Sequence, residues 1–367
     1  MALKLLIISS YKDTWNSVRP EAEIFIGMAK LGVDVTLMTQ GDAEYVPRFK
    51  EHGVKIIDYH PAKKFQWSAI KRIRQELKQG GYDACYMFNN KAITNALFAA
   101  MGLPVKMVSY RGQTGNIYRY DPTCYLTHLH PRLDGIICVA NAVRDDLRNR
   151  AYLPDDNVVT VYKGHDLDWY KDTPTDLTQF GVPAGAFVVG CVANARPRKG
   201  VPVLLQATAL LPENDDIHIL LVGGGMDSDE IKRQIVASPM ADRIHVAGFR
   251  KDAPAIIAAC NASVLPSIKR EGLPKTVIEA MVYEVAPIVA DTGGSAELVV
   301  DGDSGLVVQP GDAQGLADAM ARLWQDPAFC RQMGIRAKQR IEEHFHTDLS
   351  AADTKAFFER LVGKDKG

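Results

Sequence analysis

The sequence predicts an α/β protein made of two doubly wound, parallel-sheet domains in tandem. Three observations carry this reading. The chain, at 367 residues, is longer than one compact core usually fills. Two separate series of short apolar runs alternate with helical patterns. A polar stretch over residues 167–186, with Pro174 and Pro183, breaks the alternation between them. Strands that are apolar on both faces belong in buried parallel sheets, and a strand, helix, strand repeat is the βαβ unit.

Taken in order, Leu3 to Ile8 reads as a strand, Pro20 to Leu31 as a helix and Val33 to Met38 as the next strand. The pattern continues with a strand at Val54 to Asp58, a helix near Ser68 to Lys78, strands at Val105 to Tyr110 and Gly135 to Val139, a helix near Asn141 to Arg150, and a strand at Val158 to Tyr162. The second series opens with Phe187 to Ala193, a helix from about Val201 to Leu211, and the strand Ile217 to Val222. Further strands fit Ile244 to Ala247, Ala262 to Pro266, Pro287 to Ala290 and Leu306 to Val308; helical periodicity over Ala313–Trp324, Pro327–Phe345 and Leu349–Val362 closes the chain. These patterns predict domains over residues 1–166 and 167–347, with a last helix over about 348–363 packing back on the first domain. In open parallel sheets ligands bind beyond the carboxyl ends of the strands, so two such sheets predict chemistry in a cleft between them.

Composition narrows the function classes. With 47% hydrophobic and 24% charged residues, disordered and fibrous classes are excluded. No apolar run approaches the ~18 residues of a membrane span, and Met1 to Ser10 lacks the basic flank and cleavage site of a signal peptide; a cytoplasmic chain is the expectation. The six cysteines are scattered with no CxxC pair, which argues against a disulfide framework or a zinc site. Charge is divided: residues 1–165 hold 22 Lys/Arg against 16 Asp/Glu, and residues 166–367 hold 21 against 28. That asymmetry predicts different partners for the two halves, and nothing in it points to nucleic acid.

The most informative segment is Pro266-Ser267-Ile268-Lys269-Arg270-Glu271-Gly272-Leu273-Pro274-Lys275-Thr276-Val277-Ile278-Glu279-Ala280-Met281. A strand ends, a glycine-bearing turn follows, and Pro274 sits where a first helical turn tolerates a missing N–H. The free amides and dipole at that helix start suit a phosphate. Glu271 and Glu279 bracket it, and carboxylates accept from sugar hydroxyls rather than bind phosphate. The combination suggests a ligand with hydroxyls on both sides of a diphosphate, a nucleotide sugar. After the first strand of the back half, Arg196-Pro197-Arg198-Lys199-Gly200 places cations where a leaving diphosphate would lie.

On these residues the chain resembles the retaining glycosyltransferases of family 4, of the GT-B fold: two Rossmann-like, doubly wound domains facing across a cleft. The signature is Glu-x7-Glu inside Glu-Gly-x-Pro-x-x-x-x-Glu-Ala-Met, and the likeness runs on through Pro287–Ala290, Gly293-Gly294, Glu297–Val299, Asp301-Gly302, Gly305–Val308 and Pro310–Asp312. The resemblance implies that Glu279 holds the ribose hydroxyls, that Glu271 contacts the transferred sugar, and that the backbone of Gly272, Leu273 and Pro274 meets the diphosphate. It implies that Lys199 neutralises that diphosphate. The family arginine is displaced here, since Asn194 stands at its position, leaving either Arg196 or Arg198 to replace it. Gly223-Gly224-Gly225 reads as a turn edging the donor site, with Gly223 and Gly225 as its contacts. Ser228 stands where a dinucleotide fingerprint needs a third glycine, which weakens an NAD reading.

The front half departs further from the family pattern. Ser17-Val18-Arg19-Pro20-Glu21 replaces a glycine pair, with Ser17 as a helix N-cap and Arg19 and Glu21 directed to the acceptor. Arg111 stands where relatives place a histidine; it cannot act as a base but can stabilise charge. Asp134-Gly135 and Lys163-Gly164-His165-Asp166 echo the family's strand start and hinge turn. The spacing of His128/His130 and His344/His346 could suggest metal ligation, but the chemistry the resemblance implies needs no metal, so no metal and no cofactor is expected. Over residues 63–78, Trp67, Ile70, Ile73 and Leu77 form one helical stripe beside six cations and one acid. That pattern fits an anionic membrane surface or a helix packed on the sheet. The function expected is transfer of a sugar from a UDP- or GDP-sugar to a carbohydrate or lipid-linked glycan, in surface polysaccharide or lipopolysaccharide assembly, at the inner face of the cytoplasmic membrane if peripheral. A nucleotide-sugar epimerase or hydrolase and a non-catalytic binding protein are the alternatives.

Overall fold

The computed structural model describes residues 2–13, 15–212 and 216–363, and it divides into two compact units. The first comprises Met1–Gly164 with Phe345–Gly367, the second His165–His344.

In the first unit the elements are β1 (Lys4–Ile8), α1 (Trp15–Lys30), β2 (Asp34–Thr39), α2 (Val46–Glu51), β3 (Lys55–Asp58), α3 (Trp67–Gly80), β4 (Ala84–Met87), α4 (Asn89–Ala99), β5 (Lys106–Arg111), β6 (Gly135–Cys138), α5 (Asn141–Arg148) and β7 (Val158–Thr160). The seven strands form one sheet in the order β3-β2-β1-β4-β5-β6-β7, every pairing parallel. Leu5 to Ile8 of β1 and all of β4 are buried, as a central parallel strand covered on both faces requires. Strand order reverses direction at β1/β4, so the carboxyl ends of β1, β4 and β5 open where a ligand pocket forms in this topology.

The strand β4 and helix α4 are additions to the elements the sequence pattern yields. In α4 Ala92 through Leu97 are all buried, so the helix has no polar side to alternate with an apolar one. Helix α1 starts at Trp15, ahead of Ser17, whose side chain lies outside the described residues.

In α3 the apolar stripe packs inward: Ala69, Ile70, Ile73 and Leu77 are buried and the helix lies on α4. Trp67 departs from that stripe, 68% exposed, with its ring against that of Phe65, itself 42% exposed. Arg74 donates to the carbonyls of Ala99 and Met101, both at 2.7 Å, which satisfies the end of α4. The stripe is therefore scaffold, and the exposed aromatics together with Lys63, Lys64, Lys71, Arg72 and Lys78 face solvent.

The second unit holds β8 (Phe187–Val192), α6 (Val201–Thr208), β9 (Ile217–Val222), α7 (Asp229–Val236), β10 (Ile244–Gly248), α8 (Ala253–Ile257), β11 (Ala262–Leu265), α9 (Lys275–Val282), β12 (Ala286–Ala290), β13 (Leu306–Val308), α10 (Ala313–Gln325) and α11 (Pro327–His344). Its six strands run β10-β9-β8-β11-β12-β13, again all parallel. The chain then returns to the first unit as α12 (Thr347–Gly363), which packs on α1 and adds Phe357, Phe358 and Leu361 to that unit's core. Among the described residues no helix is long and apolar enough to cross a membrane.

Candidate active site

The loops leaving β8 and β11 meet at Glu271. Its carboxylate is buried, and Oε1 accepts from Lys199 Nζ at 2.7 Å and from Ser267 Oγ at 2.6 Å. Arg198 stands 3.9 Å from the same oxygen and donates to the carbonyl of Arg270 at 2.9 Å. Two glycines allow this convergence. A Cβ on Gly200 would lie 1.9 Å from the Pro266 carbonyl oxygen, and one on Gly293 would lie 2.1 Å from that of Glu271; both residues have positive φ. Arg270 also has positive φ, at 63°, a conformation costly for a side chain with a Cβ and one that clusters at ligand-binding turns.

Arg196 is exposed, with its amide 2.7 Å from the Asn194 carbonyl, so of the two arginines it is Arg198 that reaches the carboxylate. Helix α9 begins after Pro274 with no side chain capping it, which leaves its first amides for an external acceptor. Glu279 lies one turn into α9, buried, with Oε1 2.6 Å from Lys275 Nζ. Burial raises its carboxyl above the ordinary value and Lys275 only partly offsets this. The Gly223–Gly225 turn follows β9 and lies against the loop after β8, where Ala195 N–H donates to the Gly224 carbonyl at 2.9 Å. Ser267 and Lys275 are partners the sequence reading did not single out; both lie within the segment it chose.

In the first unit a cavity of about 910 Å³ opens at the ends of β1, β4 and β5. Glu21 is in its wall, but the carboxylate is occupied: Ser9 Oγ donates at 2.7 Å, Tyr11 OH at 3.1 Å and Lys163 Nζ at 3.2 Å. Lys163 also lies over the Tyr110 ring; burial opposes its charge, but Tyr110 and Glu21 outweigh this and hold it protonated. Arg19, two residues away on α1, lies on the side of Glu23 and Tyr45, where its charge helps lower the Glu23 carboxyl against the opposing effect of burial. The cavity's remaining polar lining includes Lys12, Gln40, His60, Lys64, Asn89 and Lys91.

A smaller cavity of about 250 Å³ shares Lys64 and Asn90 with the first and contains Arg111 and His128. His128 is buried beside Ser109, 3.1 Å from its hydroxyl, and burial pushes it down to about 3, so it is neutral. His130 accepts from the Arg132 amide at 3.0 Å. His165 is buried and stacks on Tyr170. Among the described residues no three His, Cys, Asp or Glu side chains converge as a metal site.

The family described as "Glycosyl transferases group 1" matches residues 172–340, and that described as "Glycosyltransferase Family 4" matches residues 22–169. The lipopolysaccharide core biosynthesis mannosyltransferase LpcC of Rhizobium leguminosarum is 28% identical over 255 residues, 66% of this chain and 69% of that protein. Across the first three curated relatives the match spans 61% to 69% of the relative's length. Among solved structures, a glycosyltransferase from Rickettsia africae superposes with a TM-score of 0.82 at 17% identity, covering 98% of this chain and 99% of the other. Anabaena HepE in complex with UDP gives 0.78 at 20% identity, covering 98% and 100%. These two share the GT-B fold seen here. With the back half matched by one family description and the front half by the other, the chain belongs to the family 4, group 1 glycosyltransferases.

Proposed function

We propose that this chain is a retaining, metal-independent glycosyltransferase that moves one sugar from a UDP- or GDP-sugar to a glycan or lipid-linked glycan in cell-surface polysaccharide or lipopolysaccharide assembly. The observation that carries the reading is the Glu271 cluster. A buried carboxylate is held by Lys199 and Ser267 in the turn before an uncapped helix start, with a second buried carboxylate, Glu279, one turn beyond.

In this reading the donor's diphosphate binds at the start of α9 and takes Lys199 as its counter-ion. That exchange leaves Glu271 free to accept hydrogen bonds from the transferred sugar. Glu279 accepts from the ribose hydroxyls, and the backbone of Gly272, Leu273, Gly223 and Gly225 lines the donor. Lys199 and Arg198 stabilise charge on the leaving diphosphate, and the acceptor hydroxyl enters on the face it leaves, which retains the anomeric configuration. The 910 Å³ cavity of the first unit holds the acceptor, within the ~300–1,000 Å³ usual for ligand pockets. Glu21, saturated by three donors, shapes its wall. A lipid-linked acceptor is reached through reversible attachment of the exposed basic and aromatic residues of 63–78 to an anionic surface.

Incubation with UDP-glucose and GDP-mannose, with and without a lipopolysaccharide-core acceptor, tests this. Acceptor-dependent nucleotide release, with the product anomer matching the donor by proton NMR, is the expected result. Nucleotide release that ignores the acceptor would assign a hydrolase, and a changed donor sugar with no release an epimerase.

A further inference from the structure

Arg111, at the end of β5, makes no ion pair with a carboxylate among the described residues. Its Nη2 donates to the Gly115 carbonyl, while Nε is buried with no hydrogen-bond partner among the described residues. The nearest acid, Asp146, is engaged elsewhere, 2.7 Å from Arg150 and accepting from the Gly115 amide at 2.8 Å. Burial pulls Arg111 below its ordinary value, as expected of a desolvated cation that Asp146 only partly compensates. A half-buried charge that one acid only partly compensates is one a ligand of opposite sign can complete.

A second cation faces the same 250 Å³ cavity. Lys64 makes no ion pair among the described residues, and its backbone is fixed: the fully buried Asn95 amide donates to the carbonyls of Lys63 at 2.9 Å and Lys64 at 3.1 Å, while its oxygen accepts from the Gln66 amide at 2.9 Å. Gln113, Asn116 and Thr123 add hydrogen-bonding groups to the lining, which holds no aspartate or glutamate among the described residues. Lys64 and Asn90 are also in the wall of the 910 Å³ cavity, so a ligand in the large cavity can extend a substituent into the small one.

We propose that the smaller cavity is the subsite for an anionic substituent of the acceptor, a phosphate or a carboxylate on a sugar, gripped by Arg111 and Lys64. This rests on the acceptor being bound in the first unit. It makes Arg111 an acceptor-binding residue, and it restricts the acceptor class to negatively charged glycans. Neutral His128 adds no charge to the subsite, so Arg111 and Lys64 supply its positive field.

Isothermal titration of the full chain with glucose 6-phosphate, glucuronate and glucose tests the subsite without any transfer reaction. At least one charged sugar is expected to bind about tenfold or more tightly than glucose, with R111Q and K64Q each weakening it about fivefold or more. The arms with 6-phosphate and glucuronate decide between phosphate and carboxylate. UDP and GDP affinities, read in parallel, stay unchanged in both variants. Equal binding of charged and neutral sugars, no binding of either charged sugar at about 10 mM, or charged-sugar affinity unmoved by K64Q would overturn the proposal. Lys64 is exposed, so K64Q carries the test if the half-buried R111Q fails to fold. Discrimination between sugars without nucleotide binding would instead count against the transferase reading and leave the subsite standing.

Discussion

Glu271 and Glu279 are both buried carboxylates eight residues apart, yet they keep different company. Glu271 is held by a lysine and a serine from outside α9, whereas Glu279 has Lys275 from its own helix and a large desolvation penalty. The two should therefore respond differently to neutral substitution. E271Q weakens its hold on Lys199 and is expected to lower turnover while leaving affinity for the bare nucleoside diphosphate nearly intact. K199A is expected to reduce both, because a cation beside a leaving diphosphate acts on ground and transition states alike. A K199A protein within twofold of the parent on both measures would pass the role to Arg198. For Glu279 the prediction concerns stability. Its folded pKa is raised, so the folded state binds the proton more tightly than the unfolded one, and stability falls as pH rises from the usual carboxylate range through the folded value. E279Q carries no such penalty. Its melting temperature should exceed the parent's at pH 7 by about 2 °C, and the gain should disappear near pH 4, where the parent's carboxyl is protonated. A gain independent of pH would mean that burial of the charge is not the cause.

At the scale of elements, the donor-side turn was legible because its chemistry is written in contiguous residues: the strand end at Pro266, the glycine, Pro274 and the two glutamates all stand within one segment. The pairing of Arg198 rather than Arg196 with Glu271 was not, since it depends on how the 197–199 turn directs alternate side chains. Helix α4 escaped a periodicity reading because it is buried nearly all round, and β4 because Ala84-Cys85-Tyr86-Met87 has no β-branched residue. Helix α3 gave a true stripe with two readings, and packing on α4 decides for scaffold. What remains for a membrane is an exposed band of Phe65, Trp67 and cations. Each cation near an anionic surface contributes about 1 kcal/mol, and at physiological salt screening acts beyond about 8 Å. Replacing Lys63, Lys71, Arg72 and Lys78 with glutamine should abolish co-sedimentation with phosphatidylglycerol vesicles at low salt while turnover on a soluble acceptor stays unchanged. A parent that binds neutral and anionic vesicles equally would remove the membrane from the account.

Over the whole molecule, two sheets of one topology carry different chemistry because their carboxyl-end loops differ. The second unit gathers two buried glutamates, two cations and an open helix start; the first gathers a large polar cavity and unpaired cations. The excess of Lys/Arg over Asp/Glu in residues 1–165 was visible in the sequence, but not where it collects: Lys64, Lys91 and Arg111 come from three separate segments brought together by parallel-strand topology. The sequence pattern puts a last helix over about 348–363 back on the first domain, and α12 packs on α1 of the first unit through its apolar side.

The central claim is that the second unit binds a nucleoside diphosphate through Glu279 and the start of α9. Titrating UDP and GDP into the parent and E279A by calorimetry tests it most directly. One of the two nucleotides should bind the parent, and E279A should bind it about 5- to 150-fold more weakly, corresponding to about 1–3 kcal/mol of lost hydroxyl hydrogen bonding, with the fold intact by circular dichroism. Binding of neither nucleotide, or equal affinity in a folded E279A, would contradict the account.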